Sequence, residues 1–134
     1  MNKYKRLPAL TLTELMVVLV IIGILILLAL PNLTGLFAQA YSLEAKKQLQ
    51  YIHTLQQSHY QQHFRYSDNL QELRFEAPTL KQDNGNAVYR YSIVSASKTS
   101  FIAKAEAAED FDQDGTYNVW EIDQTGIPRE TQLD

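Results

Sequence analysis

The chain has 134 residues, enough for one small domain beside the apolar segment near its amino terminus. The formal net charge is −3, and residues 106–134 carry nine acids against a single base, Arg129. There is no basic patch of the kind that binds nucleic acid. The absence of cysteine excludes a disulfide framework, a thiolate metal site and a lipidated-cysteine anchor.

An apolar segment occupies residues 10–30, and its only charged side chain is that of Glu14. As a helix, these 21 residues would be about 31 Å long, which matches the hydrocarbon core of a bilayer. The cations Lys3, Lys5 and Arg6 precede the segment, so we expect them to stay in the cytoplasm and the acidic end to be exported. The segment therefore predicts a single membrane crossing.

Two ordinary interpretations of this segment are an uncleaved signal anchor and a cleaved secretory signal. The anchor gives Glu14 no role, although a carboxylate in hydrocarbon costs on the order of a few kcal/mol unless it is paired. A secretory signal would use the small residues Ala38 and Ala40 as its cleavage site. The apolar segment is long for such a signal, and its end lies ten residues before that site, which argues against cleavage there.

A third interpretation rests on the stretch LPALTLTELMVVLVIIGILILLALP. It resembles the amino terminus of type IV pilins and type II secretion pseudopilins, which share a short basic leader, a small residue at the cleavage site, a TLxEL motif, an apolar run and a proline. The resemblance implies that a prepilin peptidase cleaves after Ala9 and that Leu10 becomes the N-methylated first residue. It also implies that Glu14 is the family's acid, Gly23 its mid-membrane glycine and Pro31 its helix-kinking proline. Ala9 and Leu10 differ from the glycine and phenylalanine that the family usually has.

Cleavage would give Glu14 a physical role, because Leu10 would then carry an α-amino group with an ordinary pKa of about 8. Glu14 lies one helical turn further on. In a packed bundle the amine of one subunit could meet the carboxylate of its neighbour, and a pair out of register would leave two buried charges unpaired. We therefore expect Glu14 to set the axial stagger of subunits, as a polar core residue does in coiled coils. The resemblance implies a homopolymer joined through these helices, together with other pilin-like subunits and an inner-membrane assembly machinery.

The helix is expected to continue past Pro31 to about Phe64, a total length of roughly 80 Å. Pro31 has no backbone donor, so a bend is predicted there. An apolar stripe with spacings of three, four and seven residues marks the face expected to pack on the rest of the domain. Its members are Ala38, Ala45, Leu49, Ile52, Leu55 and His59. Glutamines at positions 48, 50, 56, 57, 61 and 62 are expected mostly on the solvated face.

Turn and strand patterns follow this helix. Residues 67–73 fit a helical turn capped by Ser67 or Asp68, and Asn84-Gly85 marks a loop. Strands are predicted at residues 88–96, 99–107 and 117–123, with a short edge within 124–130.

One long helix packed on three or four antiparallel strands gives an α+β fold, and the resemblance implies that this is the pilin fold. The predicted regions are a leader at 1–9, a membrane-spanning half-helix at 10–30, an amphipathic half-helix at 31–65 and a head domain at 66–134.

An acidic loop, DFDQDGTYNVWE at residues 110–121, has the spacing of a calcium-binding loop. Calcium takes about six to eight hard oxygen ligands, and alternate acids on a tightly curled chain converge on one ion. Gly115 permits the turn, and either Glu121 or Asp123 could complete the shell because both point to one side of a strand. The predicted calcium ligands are Asp110, Asp112, Asp114, Thr116, Asn118 and Glu121.

The competing interpretation of this loop is a hairpin turn surrounded by solvated acids. Three aspartates so close together would repel one another without a cation, which favours calcium. Strands are predicted on either side, so the loop is not expected to open and close as an EF-hand does. Major pseudopilins resemble the chain here too, with a calcium site late in the head where many pilins have a disulfide. That resemblance, together with the absence of cysteine, favours the pseudopilin branch.

His59 and His63 are four residues apart and share a helix face. The acid that follows the first histidine in the zinc-protease helix is replaced by Tyr60, and no third ligand is evident. Amphipathic packing is therefore preferred to a metal role for this pair.

The sequence thus predicts a structural subunit of a type IV pilin-like filament, most like a type II secretion major pseudopilin, held in the inner membrane by one helix with its head exported. The alternatives are a pilin of a type IV pilus and a membrane-anchored calcium-binding domain that does not polymerise. No Ser/His/Asp set or phosphate-binding glycine loop is evident, so an enzyme is not predicted.

Overall fold

The computed structural model describes residues 11–29, 33–111 and 115–133 of the chain. They fall into two compact units divided between Thr34 and Gly35.

The first unit contains helix α1, Leu12–Ala29, which consists almost entirely of apolar side chains. No residue of α1 is buried. The helix is apolar on every side, with no polar face to turn toward water. Its length and composition are sufficient for one membrane crossing. The predicted bend at Pro31 lies outside the described residues.

Helix α2, Leu33–His63, belongs to the second unit from Gly35 onward. The helix ends one residue before the predicted Phe64, whose left-handed backbone (φ 55°) interrupts the helical conformation. Ala45, Leu49 and Ile52 are fully buried, and Leu55 packs at the edge of the same core. The predicted stripe is confirmed at these positions, whereas the side chain of Ala38 lies outside the described part of the chain.

Gln56 is a correction to the predicted solvated face, because its side chain is fully buried. Its Nε2 donates to the carbonyl oxygen of Ser67 at 2.7 Å, and its Oε1 accepts from the Ser67 backbone N–H at 2.9 Å. An amide carries both a donor and an acceptor, so one glutamine satisfies both backbone groups of a residue in the loop that follows the helix.

The four strands are β1 (Tyr89–Ala96), β2 (Phe101–Ala107), β3 (Val119–Asp123) and β4 (Arg129–Gln132). They form one antiparallel sheet in the order β1-β2-β3-β4. The short edge predicted after residue 123 is therefore a fourth strand. The α+β fold class is confirmed, with an amino-terminal apolar helix and a four-stranded antiparallel sheet.

Buried residues alternate with more exposed ones along β2 and β3, as the period-two pattern requires, whereas the edge strand β4 is exposed throughout. Strand β2 contributes Phe101 and three alanines, Ala103, Ala105 and Ala107, all buried. These small side chains leave room for the leucine and isoleucine of α2. The core includes Ala45, Leu49, Ile52, Tyr66, Phe75, Val88, Tyr89, Trp120 and Ile122 as well as the β2 residues.

The loops between α2 and β1 follow their turn signals in part. Asn84 has a left-handed backbone (φ 65°), as the predicted Asn84-Gly85 turn requires. Residues 70–74 form hydrogen-bonded turns, but the capping side chain is Asn69, whose Oδ1 accepts from the backbone N–H of Gln71 at 2.8 Å. Ser67 instead accepts from the Asn69 N–H through its hydroxyl at 3.1 Å.

Candidate functional site

The amino-terminal end of α1 is closed by a reciprocal pair of hydrogen bonds between Thr11 and Glu14. The Thr11 backbone N–H donates to Oε2 of Glu14 at 3.0 Å, and the Glu14 N–H donates to Oγ1 of Thr11 at 3.2 Å. The Thr11 hydroxyl also donates to the same carboxylate oxygen at 3.2 Å. This is a capping box, which satisfies backbone donors that a helix leaves unpaired at its start.

The capping box is a feature that the sequence interpretation missed. Its signal, Thr-x-x-Glu, is present as Thr11-Leu12-Thr13-Glu14 directly before the apolar run. Glu14 therefore has polar partners inside its own chain, in addition to any partner that a neighbouring subunit would provide.

Gly23, another position of the amino-terminal motif, has no close neighbour within the described part of the chain. A Cβ added at Gly23 would meet nothing within 4 Å, so no contact within the chain calls for glycine there. The predicted cleavage-site residues, Ala9 and Leu10, lie outside the described residues, as does Pro31.

In the acidic loop, a hydrogen bond connects the first and sixth positions of the calcium pattern. The Gly115 backbone N–H donates to Oδ2 of Asp110 at 2.8 Å, and Gly115 has a left-handed backbone (φ 90°). The left-handed conformation of Gly115 is the one that its predicted role in a turn requires. Asp112 and Asp114 lie outside the described residues.

The side chain of Asn118 is directed into the core. Its Oδ1 accepts from the Tyr89 hydroxyl at 2.7 Å, and its Nδ2 donates to Oε1 of Glu130 at 2.6 Å and to the Gln132 carbonyl at 3.1 Å. Asn118 is only 4% exposed. The contacts join the end of the loop to β1 and β4, so the amide has a structural role that does not involve Asp110.

Trp120 and Ile122 are buried on the core face of β3. Glu121 and Asp123 alternate with them and therefore lie on the opposite face of the strand. Across the sheet, Glu121 pairs in register with Lys104 on one side and Arg129 on the other. Asp123 accepts hydrogen bonds from both the backbone N–H and the hydroxyl of Thr125. These bonds hold the pKa of the Asp123 carboxyl below its usual value.

Part of this arrangement fits a calcium ion and part does not. Asp110 and Gly115 are placed as the pattern requires, whereas Asn118 and Glu121 project to opposite faces of the sheet. Among residues 11–29, 33–111 and 115–133, no group of three or more His, Asp or Glu side chains is gathered with metal-binding geometry. Calcium at this loop stays a prediction, because two of its three aspartates lie outside those ranges.

The histidine pair lies at the last two turns of α2. The ring centres of His59 and His63 are 4.3 Å apart, and His59 is only 8% exposed, as expected of a member of the buried stripe. Burial lowers the pKa of His59, the charge of His63 lowers it further, and the Glu72 carboxylate opposes both. Its Nε2 is buried and has no hydrogen-bond partner within the described part of the chain.

Comparison with known proteins gives one informative relative. No protein-family model matches the chain. The chain is 40% identical over 87 residues to the type IV major pilin protein PilA of Myxococcus xanthus strain DK1622. The match covers 65% of this chain and 37% of the relative, so the matched segment spans well under half of that protein's length. The similarity supports a type IV pilin-like chain, and it does not separate a pilus subunit from a pseudopilin.

Proposed function

We propose that this protein is a structural subunit of a type IV pilin-like filament, anchored and polymerised through α1. The observation that carries the proposal is the complete exposure of an apolar helix with one acid in its first turn. Leu12, Met16, Leu27 and many other large apolar side chains of α1 are more than half exposed. Such a helix must be covered by lipid or by other helices, because water is a poor solvent for it on every side.

Glu14 is proposed to set the register between subunits. Cleavage after Ala9 would leave the amine of Leu10 close to the capping box of its own helix and to the carboxylates of neighbouring helices. An apolar bundle disfavours any stagger that leaves a carboxylate or an amine unpaired. The capping box supports this role, since it holds the carboxylate at the start of the helix, where the incoming amine of another subunit would lie.

Gly23 is proposed to allow close approach between neighbouring helices. A side chain there would meet nothing within its own chain, so the space that glycine leaves is available to a partner helix. The amino-terminal location of α1 fits a single-pass anchor, with the head exported from the inner membrane. Prepilin peptidase and an inner-membrane assembly machinery are the proposed partners for processing and polymerisation.

Two finer assignments are supported by different observations. The acidic loop and the absence of cysteine favour a major pseudopilin of a type II secretion system. A pilus subunit is equally compatible with the similarity to a protein named as a type IV major pilin. Under either assignment, the chain is a structural component and not an enzyme. Loss of protein secretion without loss of surface pili, after deletion of the gene, supports the pseudopilin; loss of pili with normal secretion supports the pilus subunit.

Calcium is proposed to bind the acidic loop through Asp110, Asp112 and Asp114. The sequence spacing and the Asp110–Gly115 hydrogen bond support it. Because Asn118 is already bonded to Tyr89 and Glu130, we propose that its side chain supports the loop from the core and that any contribution to the ion from position 118 is secondary.

The filament proposal is tested by replacing Glu14 in the producing bacterium and measuring both processing and filament yield. Glu14→Gln is the sharpest variant, because glutamine can still form a capping box but carries no charge. We expect the variant to be processed normally, with Leu10 as its amino-terminal residue. Its filament yield should fall at least about tenfold, because the amine of Leu10 loses its carboxylate partner and an unpaired buried charge costs several kcal/mol. Thr11→Ala is the matched control: it removes the cap but keeps the carboxylate, and should assemble better than Glu14→Gln. Wild-type filaments from Glu14→Gln, or native filaments that retain residues 1–9, would contradict the proposal.

A further inference from the structure

His59, His63 and Glu72 line one cavity of about 440 Å³ at the carboxyl end of α2. The cavity belongs wholly to the second unit and is separate from the acidic loop. Tyr51 and Arg74 also border it. The filament function proposed above uses none of these side chains.

The buried Nε2 of His59 is the observation that calls for an explanation. Buried polar atoms in folded proteins almost always have a partner, and one without a partner points to a water or an ion. His59 Nε2 has none among the residues that the structure describes, although more than nine-tenths of the His59 surface is covered.

The spacing of the two histidines suits a metal ion better than a water molecule. Residues at positions i and i+4 lie on the same helix face, and two imidazoles so placed can bind one ion together. The ring centres of His59 and His63 are 4.3 Å apart, so the two imidazoles are neighbours on that face.

We infer that His59 and His63 form a binding site for a divalent transition-metal ion that prefers imidazole nitrogen, such as zinc or copper. Imidazole suits these ions, whereas calcium prefers hard oxygen ligands, so the site differs in metal class from the acidic loop. No third protein ligand is gathered with metal-binding geometry in the described ranges, so water would complete the shell.

Glu72 adds negative charge to the same cavity without being placed as a ligand. Its carboxylate accepts a hydrogen bond from the Ser67 hydroxyl and forms an ion pair with Arg65 at 3.3 Å. The pKa of the Glu72 carboxyl is lowered mainly by the hydrogen bond from the Ser67 hydroxyl, so the carboxylate is ionised at neutral pH. An ion at the histidine pair would therefore lie in a cavity that an ionised carboxylate also lines, and this charge favours a cation there.

The test is a titration of the full-length protein in detergent micelles with zinc, followed by calorimetry, with calcium present in excess to occupy hard-oxygen sites. We expect one zinc ion per chain. His63→Ala should weaken binding about tenfold or more, because it removes one of two protein ligands. His53→Ala is the matched control, since His53 lies on the same helix outside the cavity, and it should bind zinc as the wild type does.

A second measurement does not depend on a folded variant. Copper(II) added to the wild-type protein should give an electron paramagnetic resonance spectrum with coupling to two imidazole nitrogens. Absence of zinc binding, unchanged affinity in His63→Ala, an equal loss in His53→Ala, or a copper spectrum without nitrogen coupling would each overturn the inference.

Discussion

The hydroxyl of Tyr89 donates a 2.7 Å hydrogen bond to Oδ1 of Asn118, and both side chains are almost completely buried. The Asn118 amide continues to Glu130 and to the Gln132 carbonyl, so one side chain connects β1, the end of the acidic loop and β4. Hydrogen bonds of this kind gain strength from burial and are costly when one partner is lost.

Asn118→Ala is therefore expected to destabilise the head by about 1–3 kcal/mol, because it removes a buried hydrogen bond with the Tyr89 hydroxyl. Tyr89→Phe removes the other half of the bond, and the double variant should cost less than the sum of the two single variants. Urea unfolding of the four proteins measures this coupling. Strictly additive losses would show that the bond contributes nothing.

Replacement of Gln56 should be far more costly than replacement of the exposed glutamine Gln61 on the same helix. Gln56→Ala leaves the N–H and the carbonyl of Ser67 without partners, with an expected loss of about 2–3 kcal/mol. Gln61→Ala removes no buried contact and should stay within about 0.5 kcal/mol of the wild type. Denaturant midpoints of the two variants provide the comparison, and equal midpoints would contradict the role assigned to Gln56.

Gly85→Ala is expected to disturb the loop before β1. An added Cβ would lie 1.9 Å from the carbonyl oxygen of Thr79, so the backbone must move. We expect a loss of more than about 1 kcal/mol, in the range of overpacked sites. Asn84→Gly at the adjacent left-handed position should be tolerated, because glycine adopts that conformation without strain. Thermal melting compares the two, and an unchanged Gly85→Ala melt would refute the close contact.

The carboxyl of Asp123 should titrate below its ordinary pKa of 3.8, mainly because the hydroxyl and backbone of Thr125 bond to its ionised form. Since the folded chain binds this proton more weakly than the unfolded chain, the stabilisation is present above pH 3.8 and is lost as the pH falls through the lowered value. Thr125→Val removes the hydroxyl and should move the pKa of Asp123 back upward. Carboxyl-carbon NMR titration measures the shift; an identical pKa in the variant would rule out the hydroxyl as its cause.

Calcium should raise the melting temperature of the full-length protein, and a chelator should reverse the effect. Asp112→Asn should abolish this calcium response, because it removes one of the three clustered carboxylates. Asn118→Ala should lower the melting temperature but retain a calcium-dependent rise, since its amide is bonded to Tyr89 and Glu130. If calcium leaves the melting temperature of the wild-type protein unchanged, the proposed calcium site in the acidic loop is wrong.

Local patterns in the sequence were sufficient for most of the fold. Strand patterns located β1, β2 and β3 to within two residues of their observed bounds, and the spacing of Leu49 and Ile52 identified the buried face of α2. These features depend on neighbours a few residues away, so a periodicity records them directly.

Contacts between distant residues were not predictable in the same way. Gln56 is buried because it bonds to Ser67, and Asn118 is tied to Tyr89, 29 positions away in the chain. Neither partner can be identified from a local pattern. The Thr11–Glu14 capping box is different, because its Thr-x-x-Glu signal is local and stands directly before the apolar run.

No described residue of α1 is buried within the chain, and this has an evolutionary consequence. The fold of a single molecule imposes little restriction on which apolar side chain occupies each position of that helix. Selection on its surface must come from whatever surrounds it, so substitutions there should follow changes in neighbouring molecules and accumulate independently of those in the head domain.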